Sequence, residues 1–107
     1  MRIETDKGSL PIRYSFNTLR KIGDDLDMSM NEMLEFDLMN RKMSDVFTFV
    51  LHGFKEGARF EKEECKVDSL DDIGELLDGD PQILAKAMLQ FAEDMKAVSG
   101  GQESKKK

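Results

Sequence analysis

The sequence predicts an α+β fold, mostly α, in which a small N-terminal β-hairpin packs on a bundle of about five helices. Two short extended segments flank the turn sequence Asp-Lys-Gly-Ser at residues 6–9. From residue 15 onward, apolar residues recur at helical spacing in five segments. The chain of 107 residues is long enough for one domain with its own core.

The predicted hairpin comprises residues 2–4 and 10–14. Pro11 has no N–H to donate, so the second strand is either an edge strand or begins only at Ile12. A two-stranded hairpin is marginally stable alone. We therefore expect it to pack on the helices or to pair with another chain.

Two short helices should follow the hairpin. Ser15 is a good N-cap for a first helix, whose apolar face carries Phe16, Leu19, Ile22 and Leu26. Ser29 and Glu32 have the spacing of a capping box, which predicts a brief second helix ending near Phe36.

The third helix is the most apolar segment. It is predicted to begin at Met43 or Ser44 and carries a broad stripe made of Val46, Phe47, Val50, Leu51 and Phe54. Phe49 lies off that stripe, so the helix is apolar on more than one side, as expected of the central helix in a small bundle. Gly57 is predicted to end it, and residues 59–67 to form a loop.

A fourth helix should begin after Asp68 or Ser69, and its apolar residues are Leu70, Ile73, Leu76 and Leu77. The Asp-Gly pair at residues 78–79 is predicted to end it.

The Asp-Pro pair at residues 80–81 predicts the start of a fifth helix. Its inward residues are Ile83, Leu84, Ala87, Met88, Phe91 and Met95. We expect it to end near Val98, before the Ser-Gly-Gly sequence at residues 99–101, with residues 102–107 disordered. The chain thus divides into a domain of residues 1–98 and a disordered C-terminal tail of residues 99–107.

The formal charge of −6 speaks against a nucleic-acid-binding surface, which needs clustered Lys and Arg. Residues 61–80 hold nine acids against two bases. This acidic segment is either a solvated surface or a docking surface for a basic partner. No apolar run approaches the ~20 residues that span a bilayer, so no membrane partner is expected. The single Cys65 forms no disulfide within the chain, which indicates a reducing cytoplasm.

Few residues suit catalysis or metal binding. The chain has one His and one Cys, too few for a zinc site made of these ligands. Residues 25, 27, 29 and 31 imitate the ligands of a calcium loop, but Met30 stands where that loop needs Gly and Phe36 where it needs Glu. We therefore expect no enzyme activity, no metal and no cofactor.

Methionine is the positive signal in this sequence. Five methionines fall within residues 28–43, mixed with other large apolar side chains. Methionine is flexible and recurs on surfaces that adapt to more than one partner, although it also fills loosely packed cores. The segment is too short to bury all these side chains within one chain. The predicted partner-binding residues are Met28, Met30, Met33, Phe36, Leu38, Met39 and Met43.

The order of segments carries a resemblance. Residues 10–36 (LPIRYSFNTLRKIGDDLDMSMNEMLEF) run from an extended segment into two capped helices. A more apolar helix ending in LHGFKEG (residues 51–57), an acidic link and two further helices follow. Over roughly residues 2–96 this order resembles the tail assembly chaperones of long-tailed phages, especially those of Gram-positive hosts.

The resemblance implies a non-enzymatic protein of the host cytoplasm that is absent from the mature virion. It implies that the protein binds the tape measure protein, keeps its long apolar helices soluble, and recruits tail tube subunits. A bare hairpin edge beside an apolar surface also predicts self-association. Two alternatives are a virion structural protein of the connector or tube type, and a small acidic phage regulator that binds a host protein.

Overall fold

The computed structural model describes residues 2–35 and 40–105, with side chains up to Lys96. A two-stranded hairpin and five helices confirm the predicted α+β, mostly α architecture. The elements are β1 (Arg2–Thr5), β2 (Gly8–Pro11), α1 (Phe16–Leu26), α2 (Met30–Leu34), α3 (Met43–Glu61), α4 (Leu70–Gly79) and α5 (Gln82–Lys105).

The hairpin has a tighter connection than the sequence predicts, and its second strand begins and ends earlier. Its antiparallel register pairs Thr5 with Gly8, so that the connection contains only residues 6 and 7. Gly8 has φ of +108°, a conformation that side-chain-bearing residues rarely adopt. Pro11 closes the ladder opposite Arg2, an edge position where its missing N–H is tolerated. The predicted strand through Tyr14 is wrong, because residues 12–14 leave the sheet and run along α3.

The core is built around α3. Phe49 is fully buried there between Tyr14 of the extended segment and Phe91 of α5. Its ring centroid lies 4.7 Å from that of Tyr14 and 5.0 Å from that of Phe91. The Tyr14 hydroxyl donates to the Phe49 carbonyl oxygen over 3.0 Å, which satisfies the one polar atom in this cluster. The prediction that α3 is the central helix is confirmed.

Gly57 does not end α3, which continues for another turn to Glu61. A methyl group at Gly57 would collide with the Pro11 carbonyl group and would lie 2.7 Å from the Ile12 nitrogen. One turn earlier, the Gly53 carbonyl oxygen accepts from the Arg13 N–H over 3.0 Å. Gly57 is therefore explained by the close approach of residues 11–13 to the helix. The predicted loop accordingly begins only after Glu61.

The predicted serine caps are confirmed. The side chains of Ser15, Ser29 and Ser69 accept from the backbone N–H three residues later in α1, α2 and α4, and each belongs to a complete capping box. Asp72 closes the α4 box by accepting from the backbone N–H groups of Asp68 and Ser69. These bonds hold the pKa of Asp72 below its ordinary value. At the start of α5, Asp80 Oδ1 accepts from the Gln82 N–H over 3.0 Å.

The end of α5 differs from the prediction. Its helical backbone continues to Lys105, past the glycines at 100 and 101 where the sequence predicts a disordered tail. Glycine lowers helix stability by about 1 kcal/mol per residue but does not block the backbone hydrogen bonds, whereas proline does. The division into a domain of residues 1–98 and a tail of residues 99–107 stays a prediction.

Candidate interaction surfaces

The seven predicted partner-binding residues do not share one environment. Met33 is 1% exposed and belongs to the core, and Met28 is half-buried against it. Met30 and Met43 are 49% and 67% exposed. Three others, Phe36, Leu38 and Met39, lie outside the described residues. Met33 thus fits the interpretation of methionine as core filler, and Met30 and Met43 have the exposure that partner binding requires.

Met30 borders an apolar groove between α1 and α2, which we call the α1–α2 groove. Its volume is about 240 Å³, and it is lined by Phe16, Leu19, Arg20, Gly23, Asp24, Met28, Met30 and Met33. Five of these eight residues have large apolar side chains. Methionine supplies three of them, so the wall can change shape at little cost.

A tight reversal between the two helices forms this groove. α1 ends where Asp27 adopts the left-handed conformation at φ 56°, and the Met28 N–H donates to the Gly23 carbonyl oxygen over 2.9 Å. A methyl group at Gly23 would lie 2.9 Å from the Met28 carbonyl oxygen. A side chain at this position would therefore push the end of α1 away from the segment that leads into α2. Ser29 then caps α2 at once. The groove therefore depends on Gly23 and on the Ser29 cap.

The prediction that Phe16 lies on the inward face of α1 is wrong. Its spacing with Leu19 and Ile22 predicts an inward side chain, yet it is 61% exposed while those two residues are buried. Phe16 is the first residue of α1, beside the extended segment whose Tyr14 already fills the core. It instead borders the groove, where it joins the exposed Met30. Helical spacing alone assigns all four apolar residues of α1 to one face, so it could not separate Phe16 from the others.

Met43 lies on a different surface from Met30. It borders a cleft between the N-terminal half of α3 and α4, which we call the α3–α4 cleft and which has a volume of about 540 Å³. The lining residues are Met43, Ser44, Phe47, Leu70, Asp71, Gly74, Glu75 and Asp78. The single patch that the sequence predicts is thus divided between two surfaces, and the second has acidic neighbours.

One buried carboxylate could have suggested a catalytic site. The Glu56 side chain is buried, and its oxygens accept from Arg59 at 2.6 and 2.9 Å, from Arg13 at 3.1 Å and from Ser15 at 3.2 Å. The hydrogen bonds and the charge of Arg59, followed by the hydrogen bond from Ser15 and the charge of Arg13, hold the pKa of Glu56 below its ordinary value. A carboxylate with four donors is a poor proton acceptor. It joins the extended segment, α1 and α3.

The two reactive residue types are also engaged. His52 Nε2 lies 2.7 Å from Asp25 Oδ2, which links α3 to α1. The Cys65 thiol donates to the Val67 carbonyl oxygen over 3.0 Å. Among the side chains that the structure describes, those of residues 2–35 and 40–96, there is no group of three or more His, Cys, Asp or Glu that could hold a metal ion. None of the helices in that part of the chain has the length and apolar character needed to cross a membrane.

Comparisons of this chain with protein-family models, with curated proteins and with solved structures find no match.

Proposed function

We propose that this protein is a non-enzymatic binding protein whose α1–α2 groove takes an apolar helical segment of a partner. The observation that carries the proposal is the exposure of Phe16 and Met30 on either side of that groove. Large apolar side chains that border a concave surface favour a bound partner, because closing the groove removes them from water.

The resemblance to tail assembly chaperones suggests which protein this partner is. The tape measure protein of a long-tailed phage is the proposed partner of the groove. In this proposal the protein coats the tape measure protein in the host cytoplasm, recruits tail tube subunits and leaves before the virion is complete. A groove with methionine walls suits such a client, whose helices present apolar stripes that vary along their length.

The rim of the groove supports selectivity for an amphipathic helix. Arg20 and Asp24 border it, and their side chains form an exposed ion pair at 3.7 Å. An exposed pair of this kind contributes at most about 1 kcal/mol and exchanges easily for contacts with a partner. A helix with an apolar stripe and flanking polar residues can therefore bury its stripe and keep its polar residues at this rim.

Self-association is part of the proposal. Both strands of the hairpin are edge strands, and neighbouring copies on a rod-like client would gain affinity by contacting one another. A mass that increases with concentration in light scattering is the expected result. A monomeric mass at every concentration, both free and on a client fragment, would refute this part of the proposal.

The groove is tested by a double substitution, Phe16→Gln with Met30→Gln, in co-purification with helical fragments of a tape measure protein. The two side chains are 61% and 49% exposed, so their substitution should not unfold the protein. Loss of two apolar contacts at an interface should weaken binding at least about tenfold. The matched control is Phe60→Gln with Leu89→Gln, which removes an aromatic and an aliphatic side chain of 55% and 52% exposure outside the groove.

Equal loss of binding in both double variants would contradict the assignment of the groove as the binding site. It would show that binding depends only on the total exposed apolar surface. Two outcomes would favour the other functional classes. Persistence of the protein in purified virions would identify a structural component of the tail. Capture of a host protein that depends on the acidic residues and not on Phe16 or Met30 would favour a regulator.

A further inference from the structure

The α3–α4 cleft combines an apolar floor with one acidic wall. Met43 and Phe47, four residues apart on α3, lie across from Leu70 on α4. Met43 is largely exposed, and Phe47 and Leu70 are half-buried against the core. The wall consists of Asp71, Glu75 and Asp78, and none of the eight described residues that line the cleft is basic.

These three carboxylates have the spacing of one helix face. They lie at positions i, i+4 and i+7 of α4, which brings them into a row along the cleft. Over seven residues an α-helix rises about 10 Å, so the row spans nearly two turns. A row of carboxylates without counter-charges repels itself and lowers the stability of the helix that carries it.

No ion pair or side-chain hydrogen bond of the described residues ties these carboxylates to the rest of the fold. Among the residues that the structure describes, Asp71, Glu75 and Asp78 have neither a salt bridge nor a side-chain hydrogen bond. Their acidic neighbours differ: Asp45 pairs with Arg41 at 3.0 Å, and Asp72 accepts from two backbone N–H groups. The three charges of the wall are thus available to a partner.

Gly74 keeps the cleft open. It lies inside α4 between the acidic residues, where glycine is about 1 kcal/mol less favourable than alanine. A methyl group there would make only an ordinary contact, 3.4 Å from Cε2 of Phe47, so the packing of the helices does not require glycine. A longer side chain at this position would fill the space above Phe47.

We infer that the α3–α4 cleft is a second binding site, and that its occupant is a basic amphipathic helix of a partner protein. The apolar stripe of that helix covers Met43, Phe47 and Leu70. Its Lys or Arg residues, one per turn beside the stripe, pair with the row formed by Asp71, Glu75 and Asp78. Because the wall of the cleft is acidic, the partner must be positively charged. Because the floor is apolar, the partner must also present an apolar stripe, which an amphipathic helix has and an extended basic tail lacks. This inference does not depend on the proposed function of the α1–α2 groove.

The test uses the full-length protein and synthetic peptides of about 18 residues, long enough for five helical turns. The first peptide has Leu along one face and Lys beside it. The second replaces every Lys by Glu, and the third keeps Lys but replaces every Leu by Ala. Fluorescence anisotropy should show binding of the first peptide, with an affinity that falls as salt is added. The second and third should bind at least about tenfold more weakly.

Two variants of the protein locate the site. The triple substitution Asp71→Asn, Glu75→Gln, Asp78→Asn should weaken binding of the Leu/Lys peptide about tenfold, because three surface ion pairs are lost. The control triple substitution Glu61→Gln, Glu64→Gln, Glu93→Gln removes the same number of exposed charges outside the cleft and should change binding less than twofold. Gly74→Leu should block the cleft and weaken binding while leaving helical circular dichroism unchanged.

Equal weakening by both triple variants would overturn the inference, since total charge would then explain the binding. Binding that survives both Gly74→Leu and the cleft triple variant would overturn it as well. If the cleft variants instead change the protein's own mass in light scattering and leave peptide binding intact, the cleft is an interface between copies and the partner assignment is wrong. Substitutions at Phe16 and Met30 should not affect this peptide, which separates the inference from the groove.

Discussion

The aromatic cluster around Phe49 and the α1–α2 groove are both apolar, but they differ in how the surrounding chain closes over them. In the cluster, rings from the extended segment, α3 and α5 meet, and the one hydroxyl group is bonded to backbone. In the groove only two short helices meet, and Phe16 and Met30 remain 61% and 49% exposed. Three elements enclose a core, whereas two short ones leave a surface that a partner can complete.

The same contrast separates the glycines and the carboxylates of the molecule. Gly57 is required by backbone packing, and Gly74 is not. Glu56 has four donors, whereas Glu75 has no polar partner among the described residues. Where the fold depends on the contacts of a residue, a substitution should lower stability, and where it does not, a substitution should leave stability unchanged or raise it. The following predictions test that division.

The largest difference is expected between two methionines of α2. Met33→Ala should lower the free energy of unfolding by about 2–5 kcal/mol, because it empties a buried site. Met30→Ala, three residues earlier, should change it by less than about 0.5 kcal/mol, because that side chain is half exposed. Urea denaturation of the two variants measures the difference. Equal effects would show that the core and the groove are not distinct on this helix.

Two glycine substitutions should have opposite signs. Gly57→Ala should destabilise the protein by about 2–3 kcal/mol, since its methyl group meets the backbone of Pro11 and Ile12, which cannot move aside as a flexible side chain would. Gly74→Ala should stabilise it by about 0.5–1 kcal/mol through helix propensity. Thermal unfolding of the matched pair is the measurement. A stable Gly57→Ala protein would contradict the close approach of residues 11–13 to α3.

Among the substitutions of residues that the fold depends on, Glu56→Gln should cost the least, about 1–2 kcal/mol near neutral pH, since Arg13 and Arg59 remain partly solvated. The folded-state pKa of Glu56 lies below the ordinary value of about 4.3, so its charge stabilises the fold above that pH. This contribution is lost as the pH falls through the lowered pKa. The difference between the wild-type protein and the variant should therefore shrink in acid.

Glu93→Gln provides the control for that pH series, because Glu93 is an exposed glutamate of α5. Its substitution should change neither the stability at neutral pH nor the acid dependence by a measurable amount. A difference between wild-type and Glu56→Gln proteins that stays constant from neutral pH into acid would show that the carboxylate's charge does not contribute.

Local signals in the sequence determined the order of the elements. Each of these signals involves residues within one or two helical turns of one another. They are the serine caps three residues before their partners, the apolar residues at helical spacing, and the Asp-Pro pair at residues 80–81. For that reason the hairpin, the five helices and the central position of α3 could be predicted. The cluster of methionines could also be seen in the sequence, and with it the expectation of a partner-binding surface.

Only the tertiary structure decided which of these residues face water. Met33 and Met30 are three residues apart on one helix, and the chain packed against α2 buries the first and leaves the second exposed. Gly57 has the sequence context of a helix end, but residues 11–13, more than forty positions away, pass over it. Phe16 shares the spacing of the buried residues in α1, yet Tyr14 occupies the core beside it. Burial depends on contacts between residues distant in sequence, which short-range periodicity does not contain.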